Sequence, residues 1–208
     1  MKLTHVTQLP ALHATGQHLG RVEDAVLDLA NDAVAYWRIS LGSRLRAVPV
    51  LISADRVAVH DDQLTVHLNL DTLEAARDAA EEALEATDPI IDPAAIPSLV
   101  PLSVGPAFSP FMPSHFGFRP RETELPSGAP GGWVWAHDVL DKPLFTTRGE
   151  LGRISDVEID TTANRMTEIL VRGRNGETSF VEASALRHIP EERTHFVADA
   201  SGGMAPSA

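Results

Sequence analysis

Cysteine is missing from all 208 residues. Neither disulfides nor thiolate-held metal can contribute to the fold, and the redox compartment stays open. Basic residues are scarce: 17 Lys and Arg face 29 Asp and Glu, for a net charge of −12. A polyanion would approach against that field, so no nucleic-acid partner is expected. No apolar run reaches the roughly 18 residues of a membrane span, so no transmembrane segment is expected. The opening MKLTHVTQLP has one lysine but no apolar stretch of signal-peptide length, which points to a soluble, cytoplasmic protein. The glycines never form Gly-x-Gly-x-x-Gly or a phosphate loop, and no Gly-x-Ser-x-Gly elbow occurs. Nucleotide and serine-hydrolase chemistries thus lack their usual residues, and neither catalytic residues nor a cofactor are expected.

The chain does contain a repeated phrase. HLGRVEDAVLD at 18–28 returns as ELGRISDVEID at 150–160. A gapless shift of 132 sets Leu19 on Leu151, Gly20 on Gly152, Arg21 on Arg153, Asp24 on Asp156 and Asp28 on Asp160. Farther on it sets Trp37 on Ile169, Ile39 on Val171, Val48 on Phe180 and Leu64 on Phe196. Apolar positions that keep register over about fifty residues indicate internal duplication.

Each copy reads as β. Ala35, Trp37 and Ile39 alternate with Tyr36 and Arg38, and Leu64, Val66 and Leu68 alternate with Thr65 and His67, the period of half-buried strands. Asn175-Gly176 sits between two apolar runs and suits the positive φ of a hairpin turn. Within the repeated phrase the shared apolar sites fall at 19, 22, 25 and 27, and again at 151, 154, 157 and 159. That spacing breaks strict alternation; a turn at Gly20 and Gly152 with a bulge near Asp24 and Asp156 would bring all four inward. The two aspartates are therefore expected to accept backbone N–H groups that the ladder leaves unpaired. The alternative makes them acids of two equivalent sites.

The order of Leu-Gly-Arg-Val, Asp, an apolar strand ending in Asp, a second strand and Arg-Ala-Val-Pro at 46–49 resembles the PRC-barrel. That small β-barrel occurs in the cytoplasmic part of the photosynthetic reaction-centre H subunit and in the C-terminal domain of the ribosome maturation factor RimM. The resemblance covers residues 5–70 and again 137–200. It implies a mainly β protein of two small PRC-type barrels, with adaptor roles and no catalytic residues belonging to the barrel itself. The second copy departs from it where Val181 stands for Pro49.

Between the copies, Asp71 is the expected N-cap of a helix to residue 86, with Glu74 completing a capping box. Leu73, Ala76, Ala80 and Leu84 share one face of it and Arg77, Asp78, Glu81, Glu82 and Glu85 the other; that helix is expected to lie on the first barrel. Residues 87–136 hold ten of the fifteen prolines and six of the eleven aromatics: Phe108, Phe111, Phe116, Phe118, Trp133 and Trp135. Prolines stop regular structure, yet so many aromatics do not belong in a free tether. Either this connector glues the barrels together or its aromatics dock on a protein partner, possible homo-oligomers included. The expected divisions are 1–86, a first barrel with its helix; 87–136, the connector; 137–200, a second barrel; and 201–208, a disordered tail.

Candidate chemistry is thin. His60, Asp61 and Asp62 could hold a hard divalent ion only if their turn folded them inward. His137 and Asp138, with Asp141, form a similar weak cluster. The reading that results is a non-catalytic adaptor; the alternative is a small-ligand or divalent-metal-binding protein using the cleft between the barrels.

Overall fold

Alternating apolar side chains place the long strands where the sheet can bury one face. A computed structural model describes residues 1–42, 47–85, 99–101, 125, 129–188, 194–199 and 205–206. The first half holds a helical turn α1 (Leu3–Val6) and strands β1 (Pro10–His13), β2 (His18–Asp28), β3 (Ala33–Leu41), β4 (Val48–Ser53), β5 (Val57–Val59) and β6 (Leu64–Val66). Helix α2 (Leu70–Glu85) and β7 (Leu99–Pro101) follow. The second half holds β8 (Trp133–Trp135), a turn α3 (Ala136–Val139), β9 (Pro143–Thr146), β10 (Gly149–Asp160), β11 (Arg165–Arg172), β12 (Thr178–Glu182), β13 (Leu186–His188), β14 (Phe196–Ala198) and β15 (Ala205–Pro206).

The protein is mainly β, and its fifteen described strands share one hydrogen-bonded sheet. The order runs β13-β14-β9-β10-β11-β3-β2-β1-β6-β5, which is a palindrome about the β11–β3 junction. In each half the late strand returns parallel to the first, Ala11 beside Leu64 and Leu144 beside Phe196. At the junction, Val34 N–H donates to the Asn164 carbonyl at 2.9 Å and Met166 N–H to the Asp32 carbonyl at 2.8 Å. Asp32 and Asn164, related by the 132 shift, take φ of 51° and 52°, the left-handed region that Asx side chains tolerate. The turns leading there are closed by Asp28 Oδ1, which accepts from the N–H of Ala30 and Asn31, and by Asp160 Oδ1, which accepts from Thr162 and Ala163.

Strand register corrects the gapless shift beyond residue 41. Pro49 lies opposite Ser40, and Thr178 lies opposite Arg172. Because Ser40 and Arg172 are related by 132, the counterpart of Pro49 is Thr178 and not Val181. The second hairpin is three residues shorter, and only from Phe196 does the 132 shift resume. Gly176, at φ 80°, carries the positive angle of that hairpin, while Asn175 does not. Gly173 N–H donates to the Glu177 carbonyl at 2.8 Å, which makes a longer loop than a two-residue Asn-Gly turn. The N-cap of α2 also differs: Asn69 Oδ1 accepts from Asp71 N–H at 3.0 Å, and its carbonyl accepts from Leu73 N–H. Asp71 therefore lies inside the first turn, and Glu74 comes too late for a capping box with Asn69. An Asn two residues before Asp71 supplies the same cap and starts the helix earlier.

Leu73, Ala76 and Ala80 of α2 are buried, and the helix packs against β4 and β7. The main core cluster runs through both halves, from Leu3, Val6, Trp37 and Ile39 to Ile154, Val157, Ile169 and Phe196, and Val26, Leu51 and Trp135 form a second, smaller one. Within the segment 201–208, Ala205–Pro206 pairs with Ser179 and Phe180 of β12. No helix among the described residues is long and apolar enough to cross a membrane.

Gly20 and Gly152 allow β2 and β10 to pass close to their neighbours. A Cβ at Gly20 would stand 1.8 Å from the Ser40 carbonyl oxygen, and one at Gly152 2.3 Å from that of Arg172. Gly20→Ala and Gly152→Ala are each expected to lower unfolding stability by about 2–4 kcal/mol. Gly131→Ala, whose Cβ would meet nothing within 4 Å, should stay within about 0.5 kcal/mol of wild type in the same urea titration.

Candidate functional site

A bulge creates a need that a carboxylate meets. Register slips between Val22 and Asp24 on β2, and between Ile154 and Asp156 on β10. Asp24 Oδ1 accepts from Ala25 N–H at 2.8 Å, and Asp156 Oδ1 from Val157 N–H at 2.9 Å. Asp24 and Asp156 are both buried, at 6 % residue exposure, and one hydrogen bond does not offset the desolvation of a charge. The remaining acceptors are filled from the opposite half. Thr4 donates to Asp156 twice, N–H to Oδ1 at 3.1 Å and hydroxyl to Oδ2. His137 donates from Nδ1 to Asp24 Oδ2.

The two contacts are counterparts. Thr4 in α1 and His137 in α3 are 133 apart, and each segment lies along the other half's bulged strand. Lys2 bridges to Glu158 of β10, while β8 pairs with β2, Trp135 opposite Val26 and Val134 opposite Leu27. Arg38, opposite Asp24 in the ladder, holds its guanidinium 5.9 Å from the Trp135 ring centroid and its Nε 3.2 Å from the Glu23 carboxylate. The His137 ring lies along Trp135, centroids 6.1 Å apart, with Nε2 3.4 Å from Asp138 Oδ1. The His137 pKa is raised, above all by the hydrogen bond to Asp24. Burial opposes that rise, the charges of Asp24 and Asp138 add to it, and Arg38 subtracts.

Two grooves lie over the glycine crossings. One, of about 940 Å³, is lined by His137, Asp141, Glu150, Arg153, Arg172 and Arg174 around Gly152. Its counterpart, of about 600 Å³, is lined by His18, Arg21, Glu23, Ser40 and Gly42 around Gly20. Ser155, also on the larger groove, donates its hydroxyl to the Leu170 carbonyl at 3.1 Å, so it is held by backbone.

The sequence candidates fall in different places. Leu19 and Leu151 pack half-buried on the core, and Asp28 and Asp160 close turns. Trp135 is 1 % exposed and packs with Val26, Leu51 and Tyr36; Trp133 lies 5.5 Å from the Tyr36 ring. Phe108, Phe111, Phe116 and Phe118 lie outside the described residues. His60, Asp61 and Asp62 are exposed on the β5–β6 turn, which His60 N–H closes by donating to the Gln63 carbonyl. Asp61 meets His5 Nε2 only through its carbonyl, at 3.0 Å. Among the described residues no three His, Asp or Glu side chains are grouped to hold a metal ion. Sequence reasoning missed Thr4, because a one-residue slip in the β1–β2 turn hides its match to His137 from a gapless comparison. It also missed Arg172 and Arg174 as groove residues, since Ser40 and Gly42 stand at the matching positions.

Residues 135–203 match the family model of the PRC-barrel domain, a third of the chain. No curated protein matches the chain.

A histidine whose pKa is raised on folding stabilises in full below its unfolded value, about 6.5, and loses that contribution as pH climbs through the folded value. His137→Ala is accordingly expected to lower the thermal midpoint more near about pH 5.5 than near about pH 8.5; an equal loss at both would remove the charged link. Asp156→Ala, whose partner Thr4 does not titrate, is expected to lose about 2–4 kcal/mol at both pH values in denaturant titrations.

Proposed function

We propose that the chain is a non-catalytic adaptor built from two PRC-barrel units, related by duplication, that together present their outer surfaces and the aromatic connector to a protein partner. The observation that carries this reading is the use made of the buried carboxylates. Asp24 and Asp156, the buried acids common to both copies, have their oxygens filled by bulge N–H groups and by Thr4 and His137 of the opposite half. Groups so engaged hold backbone and join halves; they are not poised to exchange protons with a substrate. The palindromic strand order and the matching bulges support duplication, and the match over residues 135–203 supports the PRC-barrel as the unit copied.

A small-ligand or divalent-metal protein is the second reading, favoured by His137 and Asp138 standing beside the larger groove. Calorimetric titration with Mn²⁺, Zn²⁺ and Ca²⁺ separates the two. The adaptor reading expects no saturable heat; saturable heat abolished by His60→Ala or His137→Ala would replace it with the second. Affinity capture from the native cell is expected to yield a partner that Phe111→Ser with Phe116→Ser releases while the thermal midpoint is retained. Capture unaffected by these changes in a folded protein would remove the connector from recognition.

A further inference from the structure

The groove over Gly152 gathers three of the chain's 17 basic residues although the net charge is −12. Arg153 on β10 and Arg172 on β11 are directly opposed in the ladder. Like charges in that relation destabilise a sheet. The other half serves as an internal control, because there the same pair is Arg21 opposite Ser40, and Gly42 stands in the groove where Arg174 does in the second copy. The fold therefore closes around this crossing without an arginine at position 172, and the presence of Arg172 calls for an explanation outside the fold.

The guanidinium groups differ in what they already hold. Arg153 Nη1 donates to the Asp141 carbonyl at 2.6 Å, and Arg174 Nη2 pairs with Glu150. Arg172 makes no hydrogen bond or ion pair among the described residues, so its planar fork of donors is open for a bidentate oxyanion. A volume of about 940 Å³ far exceeds one small anion and falls in the range that admits a drug-sized molecule or a short extended peptide. The excess of acid elsewhere disfavours a nucleic acid, whose regular phosphates would extend beyond the groove into a repelling field. A short segment with few carboxylates stays within the groove, where Glu150 is already paired with Arg174, and meets less of that field.

We propose that this groove is a docking site for a carboxylate-bearing peptide segment of a protein partner, with Arg172 taking a side-chain carboxylate and Arg153 and Arg174 flanking it. The proposal rests on the adaptor reading for its class of partner and adds the chemistry of recognition. In the unbound protein the opposed pair Arg153–Arg172 is tolerated; in the bound one the ligand's charge lies between them and turns repulsion into attraction.

Fluorescence anisotropy with labelled hexaglutamate, using the full chain at low salt, tests it. Saturable binding is expected, lost when salt is raised, absent for hexaglutamine, and weakened about tenfold or more by Arg172→Ser. Arg21→Ser, in the counterpart groove, should leave the affinity unchanged. Arg172→Ser restores the pairing found in the other half, so its thermal midpoint should rise by up to about 3 °C, which separates loss of binding from loss of folding. Absence of saturable binding, or equal weakening by Arg21→Ser, would overturn the proposal. So would displacement of hexaglutamate by inorganic phosphate at equal concentration, or tighter binding of a single-stranded DNA hexamer. Phe111→Ser should bind hexaglutamate as wild type does, so failure of the groove and failure of the connector as recognition element are read from different variants.

Discussion

A buried carboxylate at a β-bulge is the constraint on which the arrangement of this protein depends. The extra residue on β2 and on β10 bends each strand and leaves an N–H that the ladder does not take. Asp24 and Asp156 accept it, but in doing so each carries a charge into an environment that will not tolerate one with unfilled acceptors. The groups that complete the shell come from the far half of the sequence, 152 residues away for Thr4 and Asp156 and 113 for His137 and Asp24. Either half separated from the other would keep its bulge and lose its second donor. The same device that shapes the local strand thereby couples the two halves.

Symmetry in the backbone coexists with divergence in the side chains. The paired junction bonds at Val34 and Met166, the Asx-closed turns and the close glycine crossings recur at corresponding positions. Yet Thr4 is a neutral donor, whereas His137 is an ionisable one whose pKa its hydrogen bond to Asp24 raises. Likewise Ser40 and Arg172 occupy equivalent sites and give one groove little charge and the other an opposed arginine pair. Where the two halves share a backbone geometry, at the bulges and the glycine crossings, the residues agree; on the groove walls they differ.

Much of the fold was legible before any coordinates. The 3-3-2 spacing of apolar sites in the repeated phrase already demands a bulge, since no flat strand puts Leu19, Val22, Ala25 and Leu27 on one side; Val22, Ala25 and Leu27 are buried and Leu19 packs against them. Helix α2 was readable from Leu73, Ala76 and Ala80, although its cap moved to Asn69 because two Asx residues two positions apart both fit the signal. The hairpin lengths were not readable: a compensating loss and gain of three residues leaves the ends of a gapless comparison in register while the middle is wrong.

The sequence by itself determined the β character, the repeated unit, the glycine crossings and the presence of an acid at each bulge, because these are local demands of backbone geometry that neighbouring residues satisfy. Tertiary structure alone decided which donors reach those acids and which charges share a groove. Thr4 carries no mark in its immediate sequence, the acids beside His137 say nothing of Asp24, and Arg153 and Arg172 become a pair only through strand register. Contacts between residues over a hundred positions apart are set by how whole strands align, and no short-range pattern encodes that alignment.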